Sequence, residues 1–202
     1  MKKKEIENGI LHLSANDSLL ATIIKKAGNC NLKPHTDYYN SLLDAIIGQQ
    51  LSMKAAQSII RKFTTFFGGY PPPETLILTE DTVLRSLGLS NAKVKYVKDL
   101  SAKVLEGSVI LSNFGRKSDD DIIAELTKVK GIGVWTAHMF LIFTLGRPNV
   151  LPTLDLGIRK AVMKTYSLKI LPDDAAIRKI AKKRGWEPYC TLASWYLWQS
   201  LE

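Results

Sequence analysis

Residues 126–143 read LTKVKGIGVWTAHMFLIF. The first part is short and basic, the last part is apolar enough for a core, and Gly131-Ile132-Gly133 lies between them. Two glycines around one apolar residue permit a very tight turn, because glycine accepts positive φ and lets other backbone approach closely. A helix is then expected to open near Val134, with Thr136 and Ala137 in its first turns. The N–H groups at such an opening lack partners inside the helix, so they can bind an anion without a side chain. Two readings fit: a plain tight turn between helices, or a grip on a DNA phosphate that ignores base sequence. In the second, Gly131, Gly133 and Thr136 provide the grip, and Lys128 and Lys130 add charge.

Outward from this turn, helical periodicity dominates. Leu19, Leu20, Ile23 and Ile24 form one apolar face; Leu42, Leu43, Ile46 and Ile47 form another that continues through Ala55, Ala56, Ile59 and Ile60. Leu84, Leu87, Leu89, Val94 and Val97 repeat the pattern, as do Ile122, Ile123 and Leu126, and a last helix is expected over Thr191–Leu201. Ser90 and Ser118 stand where N-caps would open the following helices. Gly68-Gly69-Tyr70-Pro71-Pro72-Pro73 is a loop. Sustained alternation of period two is absent, so the expected fold class is all-α.

The composition narrows the partner. The 202 residues are 46% hydrophobic, enough to bury a core, and 28 Lys+Arg against 19 Asp+Glu leave a formal charge of +9. Such a balance suits an anionic partner, nucleic acid before a membrane surface, although a merely basic enzyme fits it too. Cys30 and Cys190 are the only cysteines. Two cannot build a zinc site or a four-cysteine iron–sulfur cluster, and both are expected as reduced thiols. His12, His35 and His138 form no metal-ligand spacing. The start MKKKEIEN lacks the apolar core of a signal peptide, and no apolar run approaches the ~20 residues of a membrane span. The expected location is the cytoplasm at the nucleoid, or the nucleus of a eukaryote.

Four segments together resemble the helix-hairpin-helix DNA glycosylase superfamily, in its alkylbase branch, DNA-3-methyladenine glycosylase II. They are LTKVKGIGVWTAHMFLIFTLGRPNVLPTLDLGIRKAV (126–162), LLDAIIGQQLSMKAA (42–56), LRSLGLSNAKVKYVKDLSAKVLEG (84–107) and GWEPYCTLASWYLW (185–198). The resemblance implies two helical lobes with a base pocket in the cleft between them: a middle lobe of residues 38–147 carrying wedge and hairpin, and a terminal lobe of 1–37 plus 148–202. It also implies a minimal version without the extra mixed domain of larger relatives, acting as a monomer on double-stranded DNA that carries alkylated bases.

Asp155, read from the residues alone, is an acidic residue in the first turn of a helix, where the macrodipole favours it. The resemblance places it on the family's catalytic aspartate. The chemistry is consistent: cleaving an N-glycosidic bond makes the sugar cationic, a fixed carboxylate stabilises that charge, and it can orient or deprotonate the attacking water. Lyase-competent relatives carry a lysine nucleophile two residues past the second hairpin glycine. Here that residue is Trp135, so the Schiff-base route is closed at this position and water is the expected nucleophile. An aromatic face attracts a cationic ring by about 0.5–2 kcal/mol, and N3- or N7-alkylated purines are cationic. Plain packing of Trp135 is the alternative.

The resemblance further places Trp198 and Tyr189 in the base pocket. Met139 stands where some relatives have an aromatic residue, and Cys190 where a basic one is usual. It puts the wedge that fills the hole left by a flipped base at Gln50, with Leu51 as alternate; a polar helix start with a buried leucine is the competing reading. Ser90 and Lys93 are candidate phosphate contacts, with Lys95, Lys98 and Lys103 as further basic candidates. The backbone carbonyls of Thr127, Val129 and Ile132 match positions that commonly hold a structural Na+ or K+. No other cofactor is expected. The implied activity is excision of alkylated purines, chiefly 3-methyladenine with 7-methylguanine second. Rival readings are a non-catalytic helix-hairpin-helix protein that binds DNA or lesions, and a glycosylase for another damaged base.

Overall fold

In the computed structural model, which describes residues 1–201, every regular element is helical. In chain order these are α1 (Lys3–Asn16), α2 (Ser18–Ala27), α3 (Tyr38–Gly48), α4 (Met53–Phe67), α5 (Pro73–Leu78), α6 (Asp81–Ser86), α7 (Asn91–Leu105), α8 (Asp119–Leu126), α9 (Val134–Met139), α10 (Leu156–Thr165), α11 (Asp174–Lys183) and α12 (Cys190–Gln199). A short 3-10 turn spans Leu111–Asn113, and α9 passes into a π-helical stretch, Phe140–Leu145. The described residues contain no strand, as the missing period-two pattern implies.

The chain divides into two compact units. One joins Met1–His35 to the residues from Leu141 onward; the other is Thr36–Phe140. The second therefore ends at residue 140, where the sequence reading drew its boundary at 147.

In the terminal unit, α1 packs on α2, and α12 packs on α1, α2 and α10. From Cys190 to Leu197 every residue of α12 is buried, which makes it the central rod of this unit. A helix that is apolar all round can only be satisfied inside a core. Asp17 caps α2, accepting from Leu19 N and Leu20 N at 3.1 and 3.3 Å. It is fully buried and also accepts from Tyr166 Oη at 2.5 Å and Trp186 Nε1 at 3.0 Å.

In the middle unit, α7 packs against α3, α5 and α6, α3 packs on α4, and α8 on α9. The face read from Leu42, Leu43, Ile46 and Ile47 is completely buried. It does not continue unbroken into α4: the chain leaves α3 at Gly48 and re-enters a helix at Met53, with Ser52 as N-cap accepting from Ala55 N at 3.3 Å. Ser90 and Ser118 cap α7 and α8, accepting from Lys93 N and Asp121 N at 3.3 and 3.1 Å.

Candidate DNA interface and catalytic aspartate

Asp155 is the N-cap of α10. Its Oδ1 accepts from Ile158 N at 2.8 Å and from Trp198 Nε1 at 2.9 Å, and the residue is half-buried. One donor comes from the start of its own helix, the other from the end of α12, so the carboxylate is held by two rigid elements. Gly157 makes this possible. A Cβ there would meet Asp155 Oδ1 at 2.9 Å and Trp198 Cδ1 and Nε1 at 3.1 Å, so a side chain would separate the indole from the carboxylate. The Trp198 ring stacks on Phe143, with centroids 5.6 Å apart and planes 28° apart. Phe143 is 42% exposed and leaves an aromatic face beside this pair.

Trp198 thus stands beside Asp155, with its N–H directed to the carboxylate. Tyr189 is elsewhere. It precedes α12 at the opposite end from Trp198, about 13 Å along the axis at ~1.5 Å per residue. Its ring lies against Gly9, where a Cβ would meet Tyr189 Cδ1 at 2.8 Å, and 5.3 Å from the His12 ring. The structure thus sets the two expected pocket aromatics at opposite ends of α12, with the Tyr189 ring against Gly9 and His12. Cys190 is a buried free thiol whose pKa is pushed up to about 12 by burial and by Glu187, so it offers no polar replacement for a basic side chain. Cys30 is likewise free.

In the middle unit, the other candidates converge. A cavity of about 660 Å³ is lined by Asp44, Gly48, Gln49, Gln50, Leu51, Gly131, Trp135, Thr136 and Met139, among others. Its size falls within the range of small-molecule sites, ~300–1,000 Å³. Trp135 is 44% exposed and Leu51 39%, both large apolar groups at the surface. Gln50 is exposed and has φ +57°, a left-handed conformation that costs a non-glycine residue about 1–2 kcal/mol. Such strain persists only where surrounding contacts impose it, and it gathers at functional sites.

Those contacts are specific. Gln49 Nε2 donates to Gly131 O at 2.7 Å, which ties the loop to the hairpin. Lys93 Nζ donates to Ile47 O at 2.7 Å and Gln49 O at 2.8 Å, covering the exposed carbonyls at the end of α3. Burial pulls the Lys93 pKa below the ordinary lysine value. The ammonium expected on a phosphate is therefore engaged with protein carbonyls, and the Ser90 hydroxyl serves as a cap.

At the hairpin, Gly131 has φ +83°, and a Cβ there would strike the Tyr96 ring at 2.2 Å. Gly133 is the exposed N-cap of α9, with nothing within 4 Å of a would-be Cβ, so its surface is open to backbone approach. Thr136 is buried and Lys130 exposed. Lys130 N donates to Asp99 Oδ2 at 2.8 Å, and its ammonium lies 3.5 Å from Asp99 Oδ1. The turn closes through Ile132 N donating to Val129 O at 3.0 Å, with the Val129 and Ile132 side chains buried beneath. Among the described residues no group of three His, Cys, Asp or Glu could hold a metal ion. No helix among the described residues is long and apolar enough to cross a membrane.

Sequence reasoning missed Asp44, Tyr96, Asp99, Phe143 and Gly157, and gave Gln49 no role of its own within the wedge segment. Asp44 accepts from Tyr70 Oη at 2.6 Å and places a carboxylate in the wall that holds Trp135. The Tyr70 phenol is driven above its ordinary pKa by burial and by Asp44.

The HhH-GPD superfamily of base excision DNA repair proteins matches residues 43–187. The chain belongs to this superfamily. A putative DNA-3-methyladenine glycosylase of Bacillus subtilis, YfjP, is 34% identical across 97% of this chain and 71% of its own length. The alkylbase DNA glycosidase-like protein mag2 of Schizosaccharomyces pombe is 31% identical across 98% and 95%. Among solved structures, S. pombe 3-methyladenine DNA glycosylase Mag1 in complex with abasic DNA superposes with a TM-score of 0.85 at 31% identity, covering 96% of both chains.

Proposed function

We propose that this protein is a monofunctional DNA glycosylase of base excision repair. It hydrolyses the N-glycosidic bond of alkylated purines in double-stranded DNA, chiefly 3-methyladenine with 7-methylguanine second, after flipping the base out of the stack. The observation that carries the reading is the half-buried Asp155 carboxylate, fixed through Oδ1 by Ile158 N–H and Trp198 Nε1–H. A carboxylate held by a helix start and a second helix is already oriented when charge develops, so little reorganisation is needed during the reaction.

The steps follow from the groups present. Alkylated purines carry positive charge and are weakly bonded to their sugar, so departure needs no general acid. As the bond to the base lengthens, the sugar becomes cationic and Asp155 stabilises it; water attacks the anomeric carbon, with Asp155 orienting it or taking its proton. Trp135 offers the ring face for a cationic base, Met139 shapes the wall beside it, and the Asp44 carboxylate adds attraction of the same sign. Gln50, with Leu51, fills the hole in the duplex. Gly131, Gly133, Thr136 and Lys130 grip phosphate at the hairpin. The carbonyls of Thr127, Val129 and Ile132 are the proposed holders of a structural Na+ or K+, which would stiffen that turn. The protein acts as a monomer in the cytoplasm at the nucleoid, or in a nucleus.

Mass spectrometry of free bases released from methylated genomic DNA tests the reading. Release of 3-methyladenine is expected; release of no alkylpurine would overturn it. Borohydride trapping on abasic DNA should give no covalent adduct, because Trp135 replaces the amine nucleophile.

A further inference from the structure

Three residues of α7 at intervals of three, Lys93, Tyr96 and Asp99, lie on one face of that helix. Each touches a different part of the DNA-facing apparatus. Lys93 holds the carbonyls of Ile47 and Gln49 immediately before Gln50. The Tyr96 ring lies directly beneath Gly131. Asp99 accepts the backbone N–H of Lys130. A cross-tie, Gln49 Nε2 to Gly131 O, joins the two parts held. The strained residue, Gln50, follows Gln49, where two of these hydrogen bonds meet.

We infer that this face of α7 is a positioning strut that fixes the Gln50–Leu51 tip in register with the Gly131–Gly133 turn. The side chains then enter the duplex at a set offset from the phosphate the turn grips. The inference rests on the reading of Gln50 and Leu51 as the wedge. Lys93 is the critical member, because its two hydrogen bonds cover carbonyls on either side of the bend out of α3. A lysine engaged in this way contributes to flipping without touching DNA. Arginine retains a donor fork of similar reach; methionine retains the stem and loses every donor.

The test uses a duplex with one tetrahydrofuran abasic analogue beside 2-aminopurine, whose fluorescence rises when a wedge unstacks it. One titration yields both affinity and the amplitude at saturation. Lys93→Met should lower the amplitude at least about threefold while the Kd stays within about threefold of wild type. Lys93→Arg should restore more than half of the amplitude. Gln49→Leu, which removes only the cross-tie, should lower the amplitude in the same direction and carries the test should Lys93→Met fail to fold. Wild-type amplitude in Lys93→Met, or in Gln49→Leu where that variant stands in, overturns the strut. The doubly substituted Gln50→Ala, Leu51→Ala protein separates the two levels. If it brightens like wild type, the wedge reading fails; if it stays dark while Lys93→Met brightens fully, the strut alone fails.

Discussion

The terminal unit contains the same local device twice, in two different surroundings. Asp17 and Asp155 each cap a helix, α2 and α10, and each accepts the indole N–H of a tryptophan from a distant part of the chain. Asp17 is fully buried, with two backbone N–H groups, a phenol and an indole all directed at it. Asp155 keeps part of its surface open, and the indole that donates to it stacks on the partly exposed ring of Phe143. A carboxylate surrounded by donors on the inside of a core can only hold structure together. One held by donors from two helices and only partly covered can present its charge to something that arrives. Environment, rather than residue type or cap geometry, separates the two roles.

The sharpest way to break this comparison is to remove each charge in turn. Asp155→Asn should lower single-turnover base excision by about 10³-fold, with duplex affinity nearly unchanged. Asp17→Asn should act on stability instead. Replacing the acceptor of four hydrogen bonds by an amide is expected to cost about 2–3 kcal/mol and lower Tm by roughly 5–10 °C, with the rate per folded molecule retained. Thermal melts and single-turnover rates on both variants check the pair. If Asp17→Asn were the slower catalyst, the assignment of roles would be reversed.

Trp198→Phe sharpens the comparison further, since it removes the indole N–H and keeps the stack on Phe143. A rate loss of about tenfold is expected, the equivalent of one donor to a charged group. Gly157→Ala should have a similar effect by wedging a methyl between Asp155 and Trp198; wild-type rates in both would show that the indole does not orient the carboxylate. The smallest effect belongs to the middle unit. Trp135→Ala should weaken discrimination of a cationic purine over a neutral one by about 3- to 30-fold, measured as the ratio of excision rates.

The helical class was plain from periodicity, and the caps at Ser90 and Ser118 from their position alone, because both depend on residues within a few positions of one another. The break between α3 and α4 was not. The apolar face runs on past residue 48, and what interrupts it comes from Lys93 and Gly131, 44 and 82 residues from Gln49. Lys93 reads from the sequence as a phosphate contact, and its carbonyl partners come from a helix more than 40 residues away. By local criteria Asp155 reads as an acidic residue in the first turn of a helix, and the four-segment resemblance singles it out; the structure makes it the N-cap of α10 and adds the Trp198 contact. Tyr189 and Trp198 share one matching segment, yet α12 sets them at its two ends, a separation that only the helix length reveals. Phe143 passed as core because it ends an apolar run, yet it is an exposed ring.

The central claim is electrostatic, so binding of a charge tests it more directly than any rate. Duplexes carrying a cationic pyrrolidine in place of the sugar, and matched duplexes carrying neutral tetrahydrofuran, should be compared by affinity. Wild type and Asp17→Asn should prefer the cation by at least about 30-fold, roughly 2 kcal/mol, and Asp155→Asn should lose that preference. An Asp155→Asn protein that still favours the cation as strongly as wild type would contradict the account.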